Sequence, residues 1–130
     1  MLQKGNVMSG MKNYKELDAW KLSMTMAETA YDITDLFPDR ERHGLTAQLR
    51  KCAVSVPSNI AGGQVRGTAR FGLFFIRVAL GSVAEMDTQM ELARRRMLYG
   101  MRREHLARLG TSAAGVVSVF LILRASGFFA

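Results

Sequence analysis

Along most of this 130-residue chain, apolar residues return every three or four positions, the period of helices that bury one side. Alternating strand patterns are missing, so the chain reads as all-α. The first periodic stretch opens near residues 14–17 and carries Leu17, Trp20, Met24, Ala27 and Tyr31 as its seam. It should end at residues 36–37, because Pro38 disfavours helical backbone in the residue before it. A second helix is expected to start around residues 39–41, where acidic side chains suit the positive end of a helix dipole. Its seam is Leu45, Leu49, Cys52, Ala53, Val56 and Ile60. Pro57 falls inside that seam and predicts a kink, at a cost of roughly 3 kcal/mol unless neighbours compensate; Ser58 and Asn59 stand ready to bond the carbonyls it frees. Gly62 and Gly63 weaken the helix, and Gly67 marks a loop.

A third and longest helix is expected from Thr68 as N-cap to Tyr99, with Gly100 closing it. Phe71, Phe74, Phe75, Val78, Ser82, Met86, Gln89, Ala93 and Met97 fall near one stripe. A fourth, over residues 102–125, is apolar almost all round from Ala113 onward. Short connections near Pro38, Gly67 and Gly100 then describe an antiparallel up-down-up-down four-helix bundle over residues 13–126, with helix two kinked near Pro57. Residues 1–12 are polar and aperiodic and read as a disordered leader; residues 127–130 form a tail. Residues 1–10 hold no continuous apolar run, so no signal peptide is expected. The apolar run 113–123 has 11 residues where a membrane span needs about 20, so a cytoplasmic protein without a membrane span is expected.

Charge changes the picture. Residues 42–84 carry Arg42, Arg50, Lys51, Arg66, Arg70 and Arg77 and no Asp or Glu, and the whole chain has a formal charge of +7. An uncompensated basic surface attracts phosphate backbones, anionic lipid or an acidic protein. Arginine supplies 13 of the 18 positive charges, and its planar fork suits phosphate better than lysine does. A second cluster is Arg94, Arg95, Arg96, Arg102 and Arg103, followed by Arg108. The first three lie near the end of helix three, where cations offset the dipole. Only Tyr99 interleaves this cluster, so phosphate contact by shape and charge fits better than stacking on bases.

Chemistry for catalysis is thin. His43 and His105 stand alone, with no Glu-x-x-His pair of the kind di-iron bundles need. Residues 62–67 do not follow a strand and are no dinucleotide fingerprint. Neither a cofactor nor a metal is expected, and the protein reads as non-enzymatic. Cys52, the one cysteine, cannot form an intrachain disulfide and falls on the apolar side of its helix, as an inert buried thiol would. Glu85 could act as an acid facing another helix or pair with an arginine on a neighbouring helix or subunit. Asp87 and Glu91 are like charges one turn apart, offset by Arg94–Arg96.

The run from Glu41 to Ala61, with Val56-Pro57-Ser58-Asn59-Ile60-Ala61 at its end, resembles the signature of the four-helix-bundle family that includes the 23S rRNA intervening-sequence proteins. Leu17-Asp18-Ala19-Trp20, Leu36-Phe37-Pro38 and Ala79-Leu80-Gly81-Ser82-Val83-Ala84-Glu85 are similar to three further segments of that family. The resemblance implies a small antiparallel bundle that assembles as a homopentamer and is encoded within intervening sequences of bacterial large-subunit rRNA genes. Related accessory proteins of diversity-generating retroelements bind nucleic acid and a reverse transcriptase. The chain departs from the pattern at Gly62 and at Phe71-Gly72, where the family commonly has acidic residues; both changes make it more basic.

These features point to a homo-oligomer binding structured RNA or other nucleic acid through an Arg-rich surface. The alternative is an oligomeric scaffold for an acidic protein or a polymerase-like partner; association with an anionic membrane through the apolar tail and nearby arginines is a weaker third. Apolar residues cover too wide an arc of helices three and four for one internal seam, so self-association is expected.

Overall fold

The computed structural model describes residues 13–66 and 69–96. Within them are three α-helices and no strand: α1 (Asp18–Thr34), α2 (Leu45–Val65) and α3 (Ala69–Arg95), with 3₁₀ turns at Tyr14–Glu16 and Asp39–Glu41. The expected leader 1–12, fourth helix 102–125 and tail 127–130 lie outside the described residues.

Local chemistry sets each boundary. Asn13 caps the first 3₁₀ turn, its side chain accepting from the Lys15 N–H at 3.1 Å, and Asp18 places a carboxylate in the first turn of α1, where the dipole favours it. Helix α1 ends at Thr34, two residues sooner than Pro38 alone requires, because Leu36 and Phe37 turn their N–H groups back to the Ile33 and Thr34 carbonyls. Helix α2 starts at Leu45 and not at residues 39–41. Those three acidic-rich residues form the 3₁₀ turn, and from there the Glu41 carboxylate accepts the Leu45 N–H at 3.0 Å. The acidic residue does serve the helix dipole, from outside the helix.

Pro57 is buried within an unbroken α2. Ser58 and Asn59 do bond backbone carbonyls, Ser58 that of Val54 and Asn59 that of Ser55, each at 2.7 Å. The carbonyl Pro57 leaves without its usual partner is that of Ala53, so these side chains reinforce the turns beside the proline rather than refill its own. Gly62 and Gly63 do not stop α2 either. A Cβ at Gly63 would stand 2.9 Å from Phe75 Cβ and 3.4 Å from the Gly72 carbonyl oxygen; at Gly62 the nearest Phe75 atoms would be an ordinary 3.9 Å away. Gly63 therefore lets α2 and α3 approach closely.

Helix α2 approaches the backbones of both α3 and α1. Its expected seam is its buried side: Leu49, Cys52, Ala53, Val56 and Ile60 are all in the core, with Leu45 packed against it. The other two seams hold in part: Ala27 on α1 and Ser82, Met86 and Ala93 on α3 are buried as expected, and the core face is rotated away from the rest. On α1 the core takes Ala19, Met26, Ala27, Ala30 and Ile33 together with Ser23 and Thr29, whereas Met24 and Tyr31 are exposed. On α3 it takes Ala79, Ser82, Val83, Met86, Met90 and Ala93, leaving Phe74 and Val78 exposed. Small side chains among the buried positions permit close helix packing around Met26, Ile33, Leu49 and Val56, and other large ones stand on the flanks. The buried hydroxyls are satisfied locally: Ser23, Thr29 and Thr34 each donate to a carbonyl one turn back at 2.7–2.8 Å.

The two adjacent glycines should respond to alanine with opposite signs. Gly63→Ala overpacks against Phe75 and is expected to lose about 1–3 kcal/mol, while Gly62→Ala gains about 0.5–1 kcal/mol from helix propensity. Urea midpoints of the two variants check this; a stabilised Gly63→Ala contradicts the close approach.

Candidate nucleic-acid interface

The candidate cations fall into three groups once their surroundings are known. Arg50 is a structural tie. Its Nε donates to Thr34 Oγ1 and its Nη2 to Asp35 Oδ1, both at 2.7 Å, and its guanidinium lies 4.7 Å from the Tyr31 ring centroid. With the side chain only 30 % exposed, it joins the start of α2 to the last turn of α1. Arg42, Arg94 and Arg95 belong to a second group, exposed but paired with carboxylates. Arg42 meets Asp39 at 2.6 Å. Glu91 receives Arg94 through both oxygens and Arg95 through one, all at 2.8 Å. The guanidinium of Arg94, then that of Arg95, holds the Glu91 carboxyl down at about 2.

The third group stands open. Lys51, Arg70 and Arg77 are exposed and none has an ion pair among the described residues. Arg66, at the end of α2, lays its guanidinium 4.5 Å from the Phe75 ring centroid. That contact steadies the side chain and leaves the N–H edge of the fork for another acceptor. Arg70 begins the next helix at the same end of the hairpin, and Arg77 follows two turns on along the same face of α3. Arg96 is exposed and its N–H continues the helical bonding to the Leu92 carbonyl. Arg102 and Arg103 lie outside the described residues.

Between α2 and α3 runs a polar seam. Ser55 and Ser82 hydroxyls meet at 2.8 Å, and Asn59 donates to Ser55 Oγ at 2.9 Å. Cys52 donates its thiol proton to Glu85 Oε2 at 3.2 Å and receives Gln89 Nε2 at 3.4 Å, while Gln89 Oε1 is buried without a partner. Glu85 thus faces a neighbouring helix, as expected, but meets a thiol there and not an arginine. Burial, followed by the Glu85 hydrogen bond, pushes the Cys52 thiol above its ordinary value of 9.0. It stays protonated at neutral pH.

One feature escaped the sequence pattern. Tyr14, Trp20, Met24 and Tyr31 of the N-terminal segment and Val54, Pro57 and Ala61 of α2 line an open groove of about 550 Å³, with Glu28 and Asp32 at its edge. The aromatic spacing that marks this groove is the spacing of a core seam, and only the rotation of α1 separates the two. Among the described residues no group of three or more His, Cys, Asp or Glu could hold a metal ion, and no helix is long and apolar enough to cross a membrane.

With this geometry in place, a family model described as "23S rRNA-intervening sequence protein" matches residues 15–112. That span includes every described helix and every candidate cation. No curated protein matches the chain.

Replacing Arg50 and Arg70 should separate the structural cation from the open one. Arg50→Gln is expected to lose about 1–2 kcal/mol, since it strips a buried hydroxyl and a carboxylate of charged donors; Arg70→Gln should stay within about 0.5 kcal/mol of the parent. Thermal unfolding of both gives the answer, and equal losses would contradict the assignment. For Cys52, the alkylation rate of the folded protein should still be climbing with pH past 9, because the folded thiol ionises later than a free one. A rate that levels off below pH 9 would count against the Glu85 contact.

Proposed function

The chain belongs to the 23S rRNA-intervening sequence protein family, and we propose that it is a non-enzymatic protein that binds structured RNA by its phosphate backbone, as a homo-oligomer. The observation that carries this is the group of exposed cations Lys51, Arg66 and Arg70, without a carboxylate partner among the described residues, in a 43-residue stretch without a single acidic residue. Arg66 and Arg70 sit on either side of the α2–α3 turn, so one phosphate-rich strand passing that end of the hairpin meets both. Exposed guanidinium groups on helices, with the neighbouring Phe75 ring already taken by Arg66, suit backbone recognition. Several copies presenting the same cations would raise avidity without any new kind of contact.

Arg50 takes no part in this, and Arg94 and Arg95 join only by giving up Glu91. The working set of described residues is smaller than the sequence count, which lowers the number of phosphates each subunit neutralises.

Fluorescence anisotropy with a base-paired RNA hairpin should show log affinity falling linearly with log salt. The slope should shrink by about 2 in the Arg66→Gln, Arg70→Gln double variant, at roughly one released counterion per cation. Tight binding indifferent to salt would overturn the proposal. So would capture of an acidic protein that survives nuclease treatment while the hairpin shows no binding.

A further inference from the structure

Two apolar surfaces of the described helices lack a partner among the described residues, and their shapes differ. One is the concave groove between α1 and α2, floored by Trp20, Met24, Val54 and Pro57 and edged by Glu28 and Asp32. The other is a convex stripe on α3. Phe74, Val78, Gly81 and Leu92 recur at steps of four, three and eleven, which places them on one helix face; Phe74 is 60 % and Leu92 50 % exposed.

Gly81 gives the stripe its meaning. A glycine inside a helix weakens it, and retaining one calls for a close approach or an unusual conformation. Gly63 has such a cause inside the chain, in Phe75 and Gly72. Among the described residues nothing stands within 4 Å of where a Cβ at Gly81 would be, so no contact among them requires the small residue. What it offers is room for a backbone arriving from outside. The charges agree with the shapes: Arg77, exposed beside the stripe and without an ion pair among the described residues, is a cation, and the groove edge carries two exposed carboxylates.

We propose that the α3 stripe of one copy seats in the α1–α2 groove of the next, with Arg77 facing the Glu28 and Asp32 of that copy. The two surfaces lie on helices packed against α2 from different sides and are not the same patch, so the contact is heterologous. Repeated, it closes into a ring or grows into a filament. Arg66 and Arg70 precede Phe74 and remain beyond the end of the stripe, available to a nucleic acid. The proposal rests on the self-assembly part of the function proposed above and not on its RNA part.

Sedimentation velocity of nuclease-treated protein tests it without RNA. Gly81→Leu fills the open side of α3 and Val54→Arg blocks the groove; each should weaken assembly at least tenfold while keeping the helical circular dichroism of the parent. Mixed together, the two variants should form a 1:1 dimer and stop, because the mixture holds one intact stripe and one intact groove. Arg77→Glu should also weaken assembly, and adding Glu28→Arg and Asp32→Arg in the same chain should restore it. If Gly81→Leu loses its helical signal, the charge exchange decides alone. A wild-type chain that stays monomeric at tens of micromolar overturns this proposal together with the self-assembly part of the function. A wild-type oligomer whose assembly none of these changes weakens overturns the stripe-in-groove contact only.

Discussion

Helix α2 has to pack against two helices at once, and the rest of the fold follows from how little room that leaves. Its surface toward α3 includes Cys52, Ser55, Asn59 and Gly63, all small or short, and its surface toward α1 is set by Ala53, Pro57 and the long reach of Arg50. Gly63 brings the two backbones close enough for Phe75 to lie against α2. Larger side chains in place of these small ones would force the helices apart; Met26, Ile33, Leu49 and Val56 fill the core beside them, while Met24, Tyr31, Phe74 and Val78 stand on the flanks of α1 and α3. The constraint therefore creates both the tight core and the apolar surfaces left outside it.

A close helix pair with so many polar side chains between its members needs them matched. Ser55 with Ser82, and Cys52 with Glu85 and Gln89, supply those matches along about two turns of the interface, and Asn59 holds Ser55 from within α2. Sliding α3 by one turn would separate the pairs that cross between the helices and leave a buried hydroxyl and a thiol without those partners, each at a cost of about 1–3 kcal/mol for the buried groups. Apolar packing alone tolerates such slips better. The seam thus fixes how α3 sits lengthwise on α2.

The sequence pattern revealed α2 almost fully, because its seam is uniformly apolar. On α1 and α3 it found Ala27, Ser82, Met86 and Ala93 but missed part of the facing. Tyr31, Phe74 and Val78 are large and apolar, and size suggests burial, yet the contacts take Ala19, Ala30 and Ala79 alongside Met26, Ile33 and Met90. The start of α2 was displaced because a carboxylate can serve a helix from a preceding turn as well as from inside, as Glu41 does. Among the cations, type and clustering were legible but engagement was not. Nothing in the spacing of Arg50 from Thr34 and Asp35 announces that α1 and α2 bring them together, whereas Glu91 and its arginines, three and four positions apart, follow from the helical repeat itself.

Glu91 has a consequence for any anion that reaches the end of α3. Its carboxylate already offers two oxygens to Arg94 and one of them to Arg95 as well, a geometry close to that of a phosphate held by two forks. An incoming phosphate at these arginines is exchanged for a resident oxyanion and does not fill an empty seat. Its gain is the difference between two similar bonds, further reduced by the solvent around an exposed group. The end of α3 therefore acts as a threshold: a single weak anion leaves Glu91 in place, whereas a dense row of phosphates can hold the arginines while the displaced carboxylate returns to water.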